Sequence, residues 1–376
     1  MGEAKVHYNY LDKQFRVGGS LVKQILEDIE GLVKTGQFTL GPQVAKFEKE
    51  FAKICGVKYA IGINSGTDAL ILILRALGIG LGDEVITQPN SFIATANAIR
   101  FVGARPVFVD VFDDYMIDHF QVEKAITFKT KAILPVHLTG NPAGLVSISE
   151  IAKRRNLFLI EDACQAIDSS VDGKMAGSWG VAGAFSLHPL KNLNVWGDGG
   201  MITTDDDELA MNVTLMRNHG LETRDDCVMV AGNCRLHTIQ AVVGLRLVPD
   251  VSRISEIRII NAAIYNKYLA GVDGVKLPPR FANVRQVYHT FVIQVEKRDE
   301  LQKFLECNGV EAKIHYPIPI HLQKPYLEMG YKLGDFPVCE AQAKTIISLP
   351  IHQYLSVLQI MKVINLVKKF YGAKAV

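Results

Sequence analysis

From about Tyr59 onward, short β-branched runs alternate with segments of helical length, and this alternation narrows the possible folds more than any other feature of the chain. The runs are YAIGI (59–63), EVIT (84–87), RPVFVD (105–110), KAILPV (131–136), LFLIED (157–162), GAFSL (183–187) and GMITT (200–204). Several are apolar almost throughout, which is how strands buried on both faces read. Stretches such as 67–77, 93–102 and 147–155 fill the gaps at helix length. The layout predicts an α/β fold with a largely parallel sheet. The last two runs differ, because the loop between them, LHPLKNLNVWGDGG, is too short for a helical crossover. They are expected to pair antiparallel, with the Gly/Asn-rich connection as an ordered functional loop. Further on, 254–269 reads as a long helix stopping at Gly271, followed by a strand in YHTFVIQVEK and a helix over 299–308. A boundary is expected near residue 250, with a large domain over 1–250 and a small α+β domain over 251–376.

Composition limits what such a fold serves. The 376 residues carry 41 Lys+Arg against 39 Asp+Glu, a net charge of +2 with no long basic run. Neither nucleic acid nor an acidic membrane surface is an expected partner. Hydrophobic residues at 48% and charged residues at 21% exclude global disorder. The longest apolar stretch, ALILILRALGIGLG, carries Arg75 and is too short to span a bilayer. The N-terminal MGEAKVHYNYLDKQ lacks the apolar core of a signal peptide, and Val6 stands where myristoylation of Gly2 would want Ser or Thr. The expected location is the cytoplasm, with Cys55, Cys164, Cys227, Cys234, Cys307 and Cys339 reduced. None of them has zinc-ligand spacing, so no metal is expected. No repeat of 20–50 residues is present.

Three segments carry chemistry. Asn64–Ser65–Gly66–Thr67 follows the first run and opens a helix, where free amides and the Thr67 hydroxyl suit a phosphate and Gly66 permits close approach; plain capping by Ser65 or Thr67 is the alternative. A P-loop is absent, and the glycines of GIGLGD (78–83) come after a helix, the reverse of a dinucleotide fingerprint. Asp162 ends the most apolar run, where open α/β sheets bind ligands; a helix cap or a metal ligand is the alternative. Glu161 and Asp162 alternate in direction, so only one can face the site. Lys191 lies between two apolar strands, beside Pro189, Trp196 and a glycine cluster, where a solvated charge would be unusual. Desolvation lowers a lysine's pKa, and the neutral amine can form a Schiff base. A phosphate cradle, an acid for a pyridinium nitrogen and a Schiff-base lysine are the protein's parts for pyridoxal 5′-phosphate, PLP. Phe92 could stack on the ring or belong to the core. Gln165 and Ser186 could bond the ring hydroxyl and the phosphate.

These motifs resemble those of the DegT/DnrJ/EryC1 sugar aminotransferases, a branch of the fold-type I PLP-dependent transferases. The resemblance runs from about residue 20 to 365 and includes TGQFTLGPQVAKFEKEFA, NSGTDALILILRALGIGLGDEVI, PVHLTGNPA, IEDACQA, FSLHPLKNLNVWGDGG, RNHG, GNCRLHTIQA, IHYPIPIHLQ and FPVCEAQAKTIISLP. It implies a seven-stranded mixed, mostly parallel sheet in a large domain and a small C-terminal domain. It implies that Lys191 carries PLP as an internal aldimine and that Asp162 partners the pyridine nitrogen. Phe92 matches the ring-stacking position, Gln165 the residue near the ring hydroxyl, and Gly66, Thr67 and Ser186 the phosphate binders. Asn233 matches a residue that reaches the neighbouring subunit's cofactor phosphate, which implies a homodimer with shared sites. Cys164 stands where Ala is common, Trp196 where Tyr is frequent and His237 where an acid is usual; none is expected to touch the core chemistry. His188, His315, Tyr316 and His321 are candidates for substrate contact, with buried, hydrogen-bonded histidines as the alternative.

The implied activity is transfer of an amino group from L-glutamate, leaving 2-oxoglutarate, to a nucleotide-linked keto sugar. KNLNVWGDGG looks more like members that aminate C-3 than like the T-T-G-E-G-G type associated with C-4. A sugar dehydratase of the same fold is the nearest alternative, although those members carry His where Lys191 stands. A non-catalytic PLP-binding regulator is the other.

Overall fold

A computed structural model describes residues 5–14 and 20–374; Gly2, weighed above, lies outside them. All seven apolar runs join one sheet, in the spatial order Tyr59–Ile63, Gly200–Thr204, Ala182–Ser186, Phe158–Asp162, Thr130–Ile133, Glu84–Thr87, Arg105–Phe108. Neighbours from Ala182–Ser186 to the Arg105–Phe108 edge are parallel. Gly200–Thr204 alone runs against both of its neighbours, so the pair expected to be antiparallel is antiparallel. The sheet is mixed and mostly parallel.

The continuous apolar runs are explained by burial on two sides. Ile61, Ala184 and Ile202 enter one core with Leu70, Ile73 and Val213. Their chain neighbours Ala60, Phe185 and Met201 enter another with Phe47 and Phe51. Successive strand residues face opposite ways, so both sets must be apolar. The run KAILPV forms regular strand over Thr130–Ile133 and, past Pro135, which has no N–H to give, an isolated parallel bridge from Val136 to Asp162. The Pro135 carbonyl instead accepts from Asp162 N at 3.0 Å, and His137 N donates to Asp162 O at 3.0 Å. The end of the Phe158–Asp162 strand is thereby gripped by a crossing segment.

Behind residue 250 lies a separate antiparallel sheet of Val275–Lys276, Phe291–Val295 and Ile346–Leu349. The helices Val251–Leu269, Arg298–Cys307 and Val357–Phe370 share its core. Val6 sits in the same core and forms a parallel bridge with Val310. A third, small sheet joins the two halves, pairing Val284–Arg285 with Ser170–Val171. Among the described residues no helix is long and apolar enough to cross a membrane.

Glu161 is the sheet's buried anchor. It is 0% exposed, and its Oε1 accepts from Trp179 N at 2.7 Å and Gly180 N at 3.1 Å. Its Oε2 accepts from Gly177 N at 2.8 Å and meets His137 Nε2 at 2.9 Å. Gly177 has φ +82°, and a Cβ there would lie 2.4 Å from the Phe185 ring, so only glycine brings that amide to Glu161. Removing one member of a buried hydrogen-bonded set strands the others. Glu161→Ala is expected to lower stability by about 3–5 kcal/mol in urea unfolding, and Glu161→Gln, which keeps two acceptor lone pairs, by less. Equal midpoints for Glu161→Ala and wild type would contradict the assignment.

Candidate active site

A cavity of about 390 Å³ opens at the carboxyl ends of the central strands, between them and the Leu190–Gly199 loop and His315–Tyr316. That is where open α/β sheets hold ligands. Ten of the residues singled out from sequence line it: Gly66, Thr67, Phe92, Asp162, Gln165, Ser186, His188, Lys191, His315 and Tyr316.

Asp162 turns into this cavity as Glu161 turns away from it. It is 4% exposed, and the Thr95 hydroxyl donates to its Oδ2 at 2.7 Å. Ser91 Oγ lies 2.8 Å from Thr95 Oγ1, and Cys164 N donates to Asp162 Oδ1 at 3.2 Å. These hydroxyl and amide donors fix the direction of the carboxyl group. Thr95 is missed by a reading of QPNSFIATANAI that looks only for a ring to stack. Its signal is the i, i+4 spacing of two hydroxyls, Ser91 and Thr95, near the start of the helix Ile93–Phe101.

Lys191 is half-buried, and burial lowers its pKa; the negative charges possible at Cys164 and Asp162 oppose that shift. Its backbone is held on both sides. Lys191 N donates to His188 O at 2.8 Å, and the Tyr10 hydroxyl donates to Lys191 O at 2.9 Å. Tyr10, 181 residues away in the chain, carries no local motif that would have marked it.

Opposite lies the N-terminus of the helix Gly66–Ala76. Ser65 caps it, its Oγ accepting from Asp68 N at 3.0 Å. The capping alternative is therefore real, yet it leaves the amides of Gly66 and Thr67 in the first turn with no intrahelical acceptor. A Cβ at residue 66 would lie 2.7 Å from Cys164 Sγ and 3.0 Å from Ser186 Cβ, so glycine is required for this approach. The same contact brings Cys164 to the site. Its thiol lines the cavity, and burial with the nearby Asp162 charge raises its pKa well above the ordinary value.

Phe92 is 53% exposed and lies 5.7 Å from the Tyr316 ring, so it is a cavity wall and not core. Gln165 Oε1 accepts from Thr139 N at 2.8 Å, and burial raises the Tyr316 phenol to about 12. His188 is exposed at the rim, its Nδ1 accepting from Leu190 N at 3.3 Å. His315 Nδ1 meets Ser348 Oγ at 2.9 Å, and burial lowers its pKa to about 4. His289, not singled out from sequence, also lines the cavity.

Two candidates lie elsewhere. His321 is 0% exposed, bonded through Nε2 to Glu340 Oε1 at 3.0 Å and packed edge-on to Phe336; it is a core histidine, as a single H-x₅-H spacing cannot reveal. Asn233 is exposed, outside the cavity lining, in a bridge with Asn218. Trp196 does not line the cavity either, and His237 opens the helix Thr238–Leu247 in a capping box with Gln240. Among the described residues no cluster of three or more His, Cys, Asp or Glu could hold a metal.

Comparison with known proteins agrees with this geometry. Residues 20–368 match the DegT/DnrJ/EryC1/StrS aminotransferase family. The chain is similar to a pleiotropic regulatory protein of Geobacillus stearothermophilus, 40% identical over 93% of this chain and 95% of that one. It is 39% identical to the dTDP-3-amino-3,4,6-trideoxy-α-D-glucose transaminase of Streptomyces venezuelae, over 91% of this chain and 90% of that enzyme. It is 40% identical to the UDP-N-acetyl-3-dehydro-α-D-glucosamine 3-aminotransferase of Acidithiobacillus ferrooxidans, over 92% and 93%. The crystal structure of S. venezuelae DesV with a ketimine intermediate superposes with a TM-score of 0.95 at 37% identity, covering 98% of this chain and 99% of DesV. That of Bacillus subtilis NtdA with bound cofactor PMP superposes at 0.91 and 31% identity, covering 99% and 87%. With the match running through the strand ends, the lysine loop and the C-terminal sheet alike, the chain belongs to the DegT/DnrJ/EryC1/StrS aminotransferase family.

Proposed function

We propose that this protein is a PLP-dependent aminotransferase that moves an amino group from L-glutamate to a nucleotide-linked keto sugar, at C-3 in preference to C-4. The observation that carries the reading is Lys191, an amine of burial-lowered basicity facing a cavity it shares with Asp162 and a helix N-terminus. The donor set fits PLP. Gly66 is a cradle that a Cβ would fill, and the Gly66 and Thr67 amides with the Thr67 and Ser186 hydroxyls suit a phosphate. Asp162, fixed by Thr95, suits a protonated ring nitrogen, and the exposed Phe92 ring is free to cover a planar face.

When bound, PLP supplies an electron sink at the substrate carbon that loses a proton. Lys191 Nζ would hold PLP covalently, and its amine, of burial-lowered basicity, would serve the proton transfer, first as base and then as acid. Asp162, facing the cavity, would partner the ring nitrogen. Gln165, its Oε1 held by Thr139 N, would lie near the ring hydroxyl. His188, His315 and Tyr316 border the space left for the sugar.

The preference for C-3 is supported by the KNLNVWGDGG loop and by two relatives whose names specify a 3-amino product or 3-amination. Those relatives differ in carrier, dTDP and UDP, so no carrier is assigned here. We place a catalytic unit in residues 1–250 and a smaller one in 251–376, with the Val6 segment lodged in the latter's core. Exposed Asn233, beyond the cavity, is suited to complete the phosphate site of a second copy, which makes the working unit a homodimer. The name of the Geobacillus relative favours a regulator as the second reading. Retention of Lys191, Asp162 and the phosphate set argues for turnover.

Protein loaded with PLP and reduced with borohydride is expected to carry the cofactor's mass on the peptide containing Lys191. Lys191→Ala should lose both that adduct and amino transfer, by about 10⁴-fold or more. An adduct elsewhere, or full activity in the variant, would contradict the assignment. Glutamate alone should shift the visible spectrum to that of the amine form, which a regulator would not do. Thr95→Val, which removes one donor to Asp162, should weaken PLP retention about 5- to 20-fold by titration of the apoprotein; unchanged retention would remove Thr95 from the site.

A further inference from the structure

Three histidines line the cavity around Lys191, and two of them have their Nδ1 engaged by the protein: His188 with Leu190 N at 3.3 Å and His315 with Ser348 Oγ at 2.9 Å. His289 differs. Its side chain borders the cavity, and its Nδ1 is buried with no hydrogen-bond partner in the protein.

The backbone of His289 is nevertheless held firmly. His289 N donates to Thr139 O at 3.1 Å, beside the Thr139 amide that orients Gln165. His289 O accepts from Arg258 Nη1 at 3.2 Å, and the same nitrogen donates to Tyr288 O at 3.1 Å. Arg258 is 1% exposed; its Nε donates to Gln353 Oε1 at 3.2 Å, and its guanidinium lies 5.4 Å from the centre of the Tyr10 ring. Tyr10 in turn donates to Lys191 O. One buried cation thus braces His289 directly and the lysine loop through Tyr10.

Burial, with the positive charges of Lys191 and Arg258 nearby, holds the His289 imidazole well below its ordinary pKa. His188 and His315 are lowered too, a direction that favours uncharged imidazoles around the cavity. Neutral imidazoles offer no charge to the two carboxylates of an amino diacid. They match the hydroxyl and carbonyl oxygens of a sugar.

We propose that His289 is a specificity-determining residue for the acceptor, its imidazole hydrogen-bonded to a sugar oxygen next to the carbon that receives the amino group. The inference rests on the aminotransferase reading above and concerns one half of that reaction.

The test separates the two halves in the PLP-loaded dimer. The glutamate half-reaction is followed by the loss of the visible band, and the sugar half-reaction by its return when a 3-keto nucleotide sugar is added to the amine form. His289→Phe is expected to lower kcat/KM for the sugar about 10- to 100-fold, with the glutamate half-reaction changed less than about threefold. His289→Gln, which returns a neutral hydrogen-bonding group to the position, should recover most of the loss. Equal loss in both half-reactions, with no recovery in His289→Gln, would mean a merely structural histidine and overturn the proposal. A sugar half-reaction at wild-type rate in His289→Phe would overturn it as well. Wild-type protein inert in both half-reactions would instead overturn the aminotransferase reading, and this inference with it.

Discussion

Two adjacent carboxylates at the end of one central strand point to opposite sides, and the site depends on that division. Glu161, wholly buried, gathers three backbone amides and His137 and so fixes the strand end. Asp162 faces the cavity with its charge directed by Thr95. A shift by one residue would exchange them, putting the anchoring acid in the site and the site's acid in the core. The Pro135 carbonyl and the His137 amide, both bonded to the Asp162 backbone, hold the register.

The second constraint joins three distant parts of the chain. Tyr10 near the start, Arg258 in the helix Val251–Leu269 and Lys191 in the loop between two sheet strands meet through a hydroxyl, a ring and a guanidinium. A flexible amine must be held with few freedoms if it is to anchor a cofactor and then move a proton. Here the backbone of the lysine turn is held while its side chain remains free to act. The near-neutral charge of the chain fits this design, because local amides, hydroxyls and a buried cation can serve anionic ligands without a basic surface.

Much of the fold was legible because strands buried on both faces must be apolar at every position, and such runs stand out. The sheet's odd strand followed from a loop too short to cross over. The small C-terminal strands were harder: Val275–Lys276 and Val284–Arg285 are two residues each, below any periodicity. In the site, Lys191, Asp162 and Gly66 were readable because each sits at a junction where its chemistry is out of place in a plain scaffold. Tyr10 and His289 were not, since only the folded chain brings them to the site. His321 misled for the opposite reason, a polar residue near others in sequence that the fold turns inward to Glu340.

The central claim is that nitrogen passes from an amino acid to a sugar through this cavity. Its most direct test is to incubate the PLP-loaded protein with ¹⁵N-labelled L-glutamate and a 3-keto nucleotide sugar, then determine the mass and position of the label. The account predicts ¹⁵N bonded to C-3 of the sugar with 2-oxoglutarate formed in equal amount. Label retained in glutamate, with the sugar unchanged or dehydrated, would contradict it.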